Sequence, residues 1–100
     1  MYEILVGLEV TNDVVYQSYR EGMAPFLKQY DGSFGYDFKV SEVLKAEQQQ
    51  NINRVFTIRF PTESRMNEFF ADPGYLAVKD KFFTNSVAST TIIAAYEKHL

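Results

Sequence analysis

Residues 33–60, SFGYDFKVSEVLKAEQQQNINRVFTIRF, decide the fold. Phe34, Tyr36, Phe38 and Val40 alternate with Gly35, Asp37, Lys39 and Ser41, the period of two that places successive side chains on opposite sides of a strand running from Ser33 to about Leu44. Lys45 to Asn53, with Gln48-Gln49-Gln50-Asn51 at its centre, is polar and without period and reads as a hairpin loop. Arg54 to Phe60 is a second strand: Phe56, Ile58 and Phe60 share one face, Val55, Thr57 and Arg59 the other, and Pro61 ends it. Two strands joined by one polar loop are antiparallel neighbours, and they form the middle of the chain.

Working outward, Tyr2 to Val10 alternates Ile4, Val6, Leu8 and Val10 with Glu3, Leu5, Gly7 and Glu9, which predicts a first strand with one strongly apolar face. Thr11-Asn12-Asp13 offers N-cap side chains to a helix carrying Val15, Tyr16, Tyr19, Met23, Phe26, Leu27 and Tyr30, with Asp31-Gly32 as its stop. Pro25 lacks a backbone donor and is expected to kink or split that helix near Gly22. Beyond the central hairpin, Thr62 caps a second helix with Glu63 in its first turn and Met66, Phe69 and Phe70 on one side. Asp72-Pro73-Gly74 breaks it, Tyr75 to Phe83 adds a helical turn or two, and Val87 to Tyr96 is a fourth strand. The order strand, helix, strand, strand, helix, strand is the split βαβ arrangement: an α+β, ferredoxin-like βαββαβ fold with a four-stranded antiparallel sheet and two helices on one face.

Composition narrows the function. One hundred residues, 46% of them hydrophobic, suit a single domain over residues 1–100, since two smaller cores would not offset chain entropy. The net charge of -3 argues against phosphate-backbone binding, so no nucleic acid is expected as a partner. The absence of cysteine excludes disulfides, thiol catalysis and thiolate metal sites. Glu3 precedes only a short apolar run, with no basic leader and no stretch long enough for a membrane span, so the expected location is cytoplasmic. His99 stands beside Lys98 without a second ligand at metal spacing, no phosphate loop or nucleophile elbow occurs, and neither a metal nor another cofactor is expected.

Three features resemble a known group. They are the first strand followed by a helix with Tyr16, Tyr19 and Pro25 that ends Tyr30-Asp31-Gly32; the strand Val55 to Phe60 closing with Phe60-Pro61; and Phe69-Phe70-Ala71-Asp72-Pro73-Gly74-Tyr75. The chain resembles the dimeric α+β barrel superfamily that includes the antibiotic-biosynthesis monooxygenase-like proteins, and within it an uncharacterised bacterial family of unknown function. The resemblance implies a homodimer, sheet against sheet through the open faces, enclosing a small-molecule cavity. With no Trp and one His, the chain departs from the haem-degrading and quinone-forming members, so their catalytic residues do not carry over.

If Ile4, Val6, Leu8, Phe34, Tyr36, Phe38, Phe56 and Ile58 face the helices, then Leu5, Gly7, Glu9, Asp37, Lys39, Val55, Thr57 and Arg59 fall on the far face. That face is too apolar for water and too polar for a plain core. In a shared lumen Arg59 can hold a carboxylate or enolate oxygen, Glu9 or Asp37 can take a proton, and Thr57 lies between polar and apolar zones. The competing reading makes Glu9, Arg59, Asp37 and Lys39 ion pairs that fix sheet or dimer register. Tyr19, Tyr36 and Tyr75 can present hydroxyls to a cleft or serve as core with wet tips. The functions left are a small-molecule-binding protein or cofactor-independent enzyme, a structural dimerisation module without turnover, and an RNA-recognition-like domain. The last needs aromatic residues on the open face of the third strand, whereas Phe56 and Phe60 belong to the helix-facing set.

Overall fold

The computed structural model describes residues 1–99. Its elements are β1 (Tyr2–Val10), α1 (Asp13–Gln29), β2 (Ser33–Lys39), β3 (Arg54–Phe60), α2 (Glu63–Ala71), α3 (Pro73–Val78), a π-helical turn (Lys79–Phe83) and β4 (Val87–Glu97). The strands form one antiparallel sheet in the order β2-β3-β1-β4, and the helices cover one face. Alternation in β1 and β3 carries the core: Ile4, Val6, Leu8, Phe56, Ile58 and Phe60 are buried against Tyr16, Tyr19, Met23, Leu27, Phe69 and Tyr75 of the helices. Each such aliphatic or aromatic side chain, fully buried, contributes roughly 1.5–3 kcal/mol, which is why these two central strands anchor the sheet.

Local chemistry sets the helix ends. Asn12 accepts from the Val15 N–H at 3.1 Å and starts α1. At its far end the Gly32 N–H reaches Leu27 O at 3.0 Å and the Asp31 N–H reaches Lys28 O at 3.1 Å. The left-handed residue of this cap is Asp31, with φ 57°, and not the glycine beside it. Of the kink or split expected at Pro25, the split does not occur: α1 continues through it. Pro25 lies on the solvent side, where water can serve the carbonyl whose donor it lacks. Asp72 both ends α2 and caps α3, accepting from Gly74 N at 2.8 Å and Tyr75 N at 3.1 Å through one oxygen and from the Tyr30 hydroxyl at 2.6 Å through the other. A Cβ on Gly74 would lie 2.2 Å from the Phe26 ring, so glycine lets α3 close onto α1.

The principal correction concerns β2. Its ladder with β3 runs Phe34↔Ile58 and then Asp37↔Phe56, three residues against two, so β2 bulges at Gly35-Tyr36. The extra residue reverses the side-chain parity beyond it. Asp37 and Lys39, expected on the far face, turn to the helix side, and Tyr36 and Phe38, expected against the helices, stack on each other on the open face at 61% and 53% exposure. Thr57 fixes the bulge by accepting the Tyr36 N–H at 2.8 Å. The strand also ends at Lys39 and not near Leu44. After a last rung from Val40 N to Asn53 O, the chain leaves the sheet and returns so that Ile52 lies against Gly7 on the open face. The Asn53 side chain then serves both the N–H and the C=O of Val10, each at 2.8 Å.

Candidate functional site

Between sheet and helices lies a cavity of about 220 Å³. Its floor is Ile4, Val6 and Leu8 of β1 with Phe34, Phe56 and Ile58 beside them; Tyr19, Arg20 and Met23 of α1 form one wall, and Phe70, Tyr75, Lys79 and Phe83 the other. Helical spacing explains the first wall: Tyr16, Tyr19, Met23 and Leu27 make the buried stripe of α1, and Arg20 lies within that stripe, four residues after Tyr16 and three before Met23. The π-helical turn carries Lys79 and Phe83 to the rim, an irregularity often found where a helix serves a site.

Two polar features break the apolar lining. The Tyr19 and Tyr75 hydroxyls are 2.9 Å apart and buried. Burial raises the pKa of both above the ordinary tyrosine value, Tyr19 more strongly, so both stay protonated at physiological pH. Two hydroxyls carry two hydrogens, and the bond between them uses one. The second O–H is a donor beside the cavity with no charge of its own.

The other feature is Arg20. Its guanidinium lies 4.0 Å from the Phe34 ring centroid and 4.8 Å from that of Phe56, its Nε donates to the Tyr16 hydroxyl at 2.7 Å, and its terminal nitrogens reach Asp37 at 3.3 and 3.4 Å. Arg54 holds the same carboxylate more tightly, by two parallel bonds of 2.8 Å. That fork, with Arg20 behind it, lowers the Asp37 pKa against the opposing cost of its partial burial. The Tyr16 hydroxyl is pushed up by burial, which outweighs the pull of Arg20.

The residues singled out from the sequence therefore scatter. Tyr19 and Tyr75 meet at the cavity; Asp37 stands behind Arg20; Lys39 is exposed, 4.0 Å from Asp13. Thr57 is spent on the β2 bulge. Glu9 and Arg59 share the open face but do not meet: Arg59 pairs across the ladder with Glu3, whereas Glu9, opposite Ser89, lies about 20 Å further along β1. Glu3, which sequence reasoning passed over, is the buried acid of that face at 2% exposure. It accepts from the Tyr96 hydroxyl and from Lys98 Nζ at 3.4 Å, with Arg59 at 3.9 Å. His99 is exposed, and among the described residues no three acidic or imidazole side chains converge as a metal site. Among the described residues no helix is long and apolar enough to cross a membrane. Arg20 was missed too, although a charged residue inside an apolar helical stripe is a legible signal.

Comparison with known proteins follows the fold. The chain is similar to a protein of unknown function from Rhodopseudomonas palustris, with 16% identity, a TM-score of 0.79, and coverage of 99% of this chain and 82% of that one. It is similar to a dimeric protein of unknown function and ferredoxin-like fold from Bacteroides fragilis, at 15% identity, TM-score 0.62, and 97% and 95% coverage. SnoaB, a cofactor-independent oxygenase from Streptomyces nogalater, matches at 13% identity, TM-score 0.53, and 97% and 92% coverage. At these identities the likeness is one of fold. A search of curated proteins returns no significant match. A family model matches residues 2–96, and the chain thereby belongs to the family described as Domain of unknown function (DUF1330).

Proposed function

We propose that this protein binds a small organic molecule in the cavity between sheet and helices, either as a binding protein or as an enzyme that needs no cofactor, and that residues 1–100 act as one cytoplasmic unit in a homodimer. The observation that carries the reading is the Tyr19–Tyr75 pair, 2.9 Å apart and buried, whose second O–H is uncommitted beside apolar walls. Such a donor binds a carbonyl or enol oxygen and strengthens as that oxygen gains negative charge, which is how a fixed neutral donor stabilises a developing oxyanion. The cofactor-independent chemistry of the similar S. nogalater oxygenase supports extending this from binding to turnover.

The cavity within each protomer is favoured over a lumen between two sheets. On the open face Glu3, Tyr96, Lys98 and Arg59 are engaged with one another, as register-fixing groups would be. The dimer rests on the exposed, stacked Tyr36 and Phe38 and on the dimeric state described for the similar B. fragilis protein. A ligand-observed NMR screen of small carbonyl compounds tests the reading. Replacing both hydroxyls together, Tyr19→Phe with Tyr75→Phe, should weaken hits at least about tenfold, the scale of one lost hydrogen bond in a buried site, because either hydroxyl alone still offers one O–H. Hits that are indifferent to the double variant, or that perturb Tyr36 and Phe38 and leave the cavity unmoved, would show the site to be elsewhere. A dimer that binds none would favour the structural module.

A further inference from the structure

We infer that the ligand of this cavity is an organic anion with an apolar body, a small carboxylate, held between Arg20 and Lys79; this rests on the cavity being the binding site.

The charge balance of the lining carries the inference. Two cationic side chains, Arg20 and Lys79, line the cavity and no Asp or Glu does, in a chain whose net charge is -3. Asp37 is the acid nearest Arg20, and it is already committed. Two guanidinium groups share its one carboxylate, and Arg54 takes both oxygens at 2.8 Å while Arg20 stands off at 3.3 and 3.4 Å. The cluster of Arg20, Arg54 and Asp37 thus keeps a surplus positive charge, and Arg20 is its less neutralised member.

The hydrogen-bond count agrees. A guanidinium has five N–H donors. Arg20 uses Nε on Tyr16 and one hydrogen from each terminal nitrogen on Asp37, which leaves two. Its side chain is 12% exposed, so these donors sit where water competes little with a ligand. At the rim, Lys79 is exposed and forms no salt bridge among the described residues; its nearest partner is the Phe83 ring, 5.8 Å away. A guanidinium over the Phe34 and Phe56 rings and a rim ammonium beside Phe83, in one lining, match a carboxylate joined to an apolar or aromatic body. The uncommitted Tyr19–Tyr75 hydroxyl adds a donor for one carboxylate oxygen.

The test titrates the full-length protein with phenylacetate and hexanoate, with their neutral amides, and with acetate, following cavity resonances by NMR at low and high salt. The acids should bind at least about tenfold more tightly than the amides and weaken as salt rises, and acetate, which has no apolar body, should bind weakest. Lys79→Met should remove a large part of the acid preference and leave amide binding unchanged, while Lys81→Met on the same turn, outside the cavity lining, should change neither. Amides that bind in the cavity as tightly as the acids, or equal effects of the two lysine variants, would overturn the anion assignment and leave the cavity reading standing. Cavity resonances unmoved by every compound would overturn both.

Discussion

At the scale of single residues, the decisive group is Asp37, which ties β2 to Arg54 and to the α1 wall through Arg20. Arg54 holds its pKa below the ordinary carboxylate value of 3.8. A carboxylate whose folded pKa is depressed binds fewer protons in the native than in the unfolded state, so stability rises with pH across that window. The contribution is fully present above the unfolded pKa and is lost as pH falls through the folded one. Urea midpoints should therefore hold between pH 7 and about pH 5 and drop below about pH 4. Asp37→Asn should start lower and fall less steeply, and an unchanged acid slope in that variant would remove Asp37 from this role. The same local view shows why Arg20 was overlooked: its place in the apolar stripe is visible in the sequence, but its two aromatic neighbours belong to β2 and β3.

At the scale of elements, the bulge in β2 decides which side chains face the helices. One extra residue between Phe34 and Asp37 sends Asp37 to Arg20 and turns Phe38 outward. The bulge leaves the Tyr36 N–H outside the ladder, and the Thr57 hydroxyl is its acceptor. Thr57→Val keeps the shape but leaves this donor unpaired, and a destabilisation of about 1–2 kcal/mol is expected, with Thr57→Ser losing much less. Hydrogen exchange at Tyr36 should accelerate in the valine variant alone; equal stability of Val and Thr at this position would mean that the bulge needs no such partner. The boundaries of β1 and β3 and the Asp72-Pro73-Gly74 junction were legible because period, proline and capping chemistry act over a few neighbours. The bulge was not, because Ser33 to Lys39 alternates without interruption and the extra residue shows only against β3.

At the scale of the molecule, the sheet has one face sealed by helices and one carrying Tyr36, Phe38 and Tyr96 in the open at 61%, 53% and 37% exposure. Exposed rings at the two opposite edges of that face favour burial by a second copy of the sheet. Light scattering at micromolar concentration should report a dimer. Phe38→Glu should weaken association at least about 30-fold, the scale of roughly 2 kcal/mol at a central contact, with an unchanged circular dichroism spectrum. A monomeric parent would remove the homodimer from the proposed function and leave the cavity untouched.

The sequence by itself determined the order of the elements, a cap within Thr11-Asn12-Asp13, the cap at Thr62, the helix break at Asp72-Pro73-Gly74, and the helix-facing sets of β1 and β3, because periodicity and capping are properties of contiguous residues. Only the tertiary structure decided that Asp37 faces Arg20, that Arg59 meets Glu3 and not Glu9, and that Tyr19 and Tyr75, 56 positions apart, share a hydrogen bond. Register and bulges belong to pairs of strands, and a cavity belongs to several elements at once, so no single stretch of chain contains them.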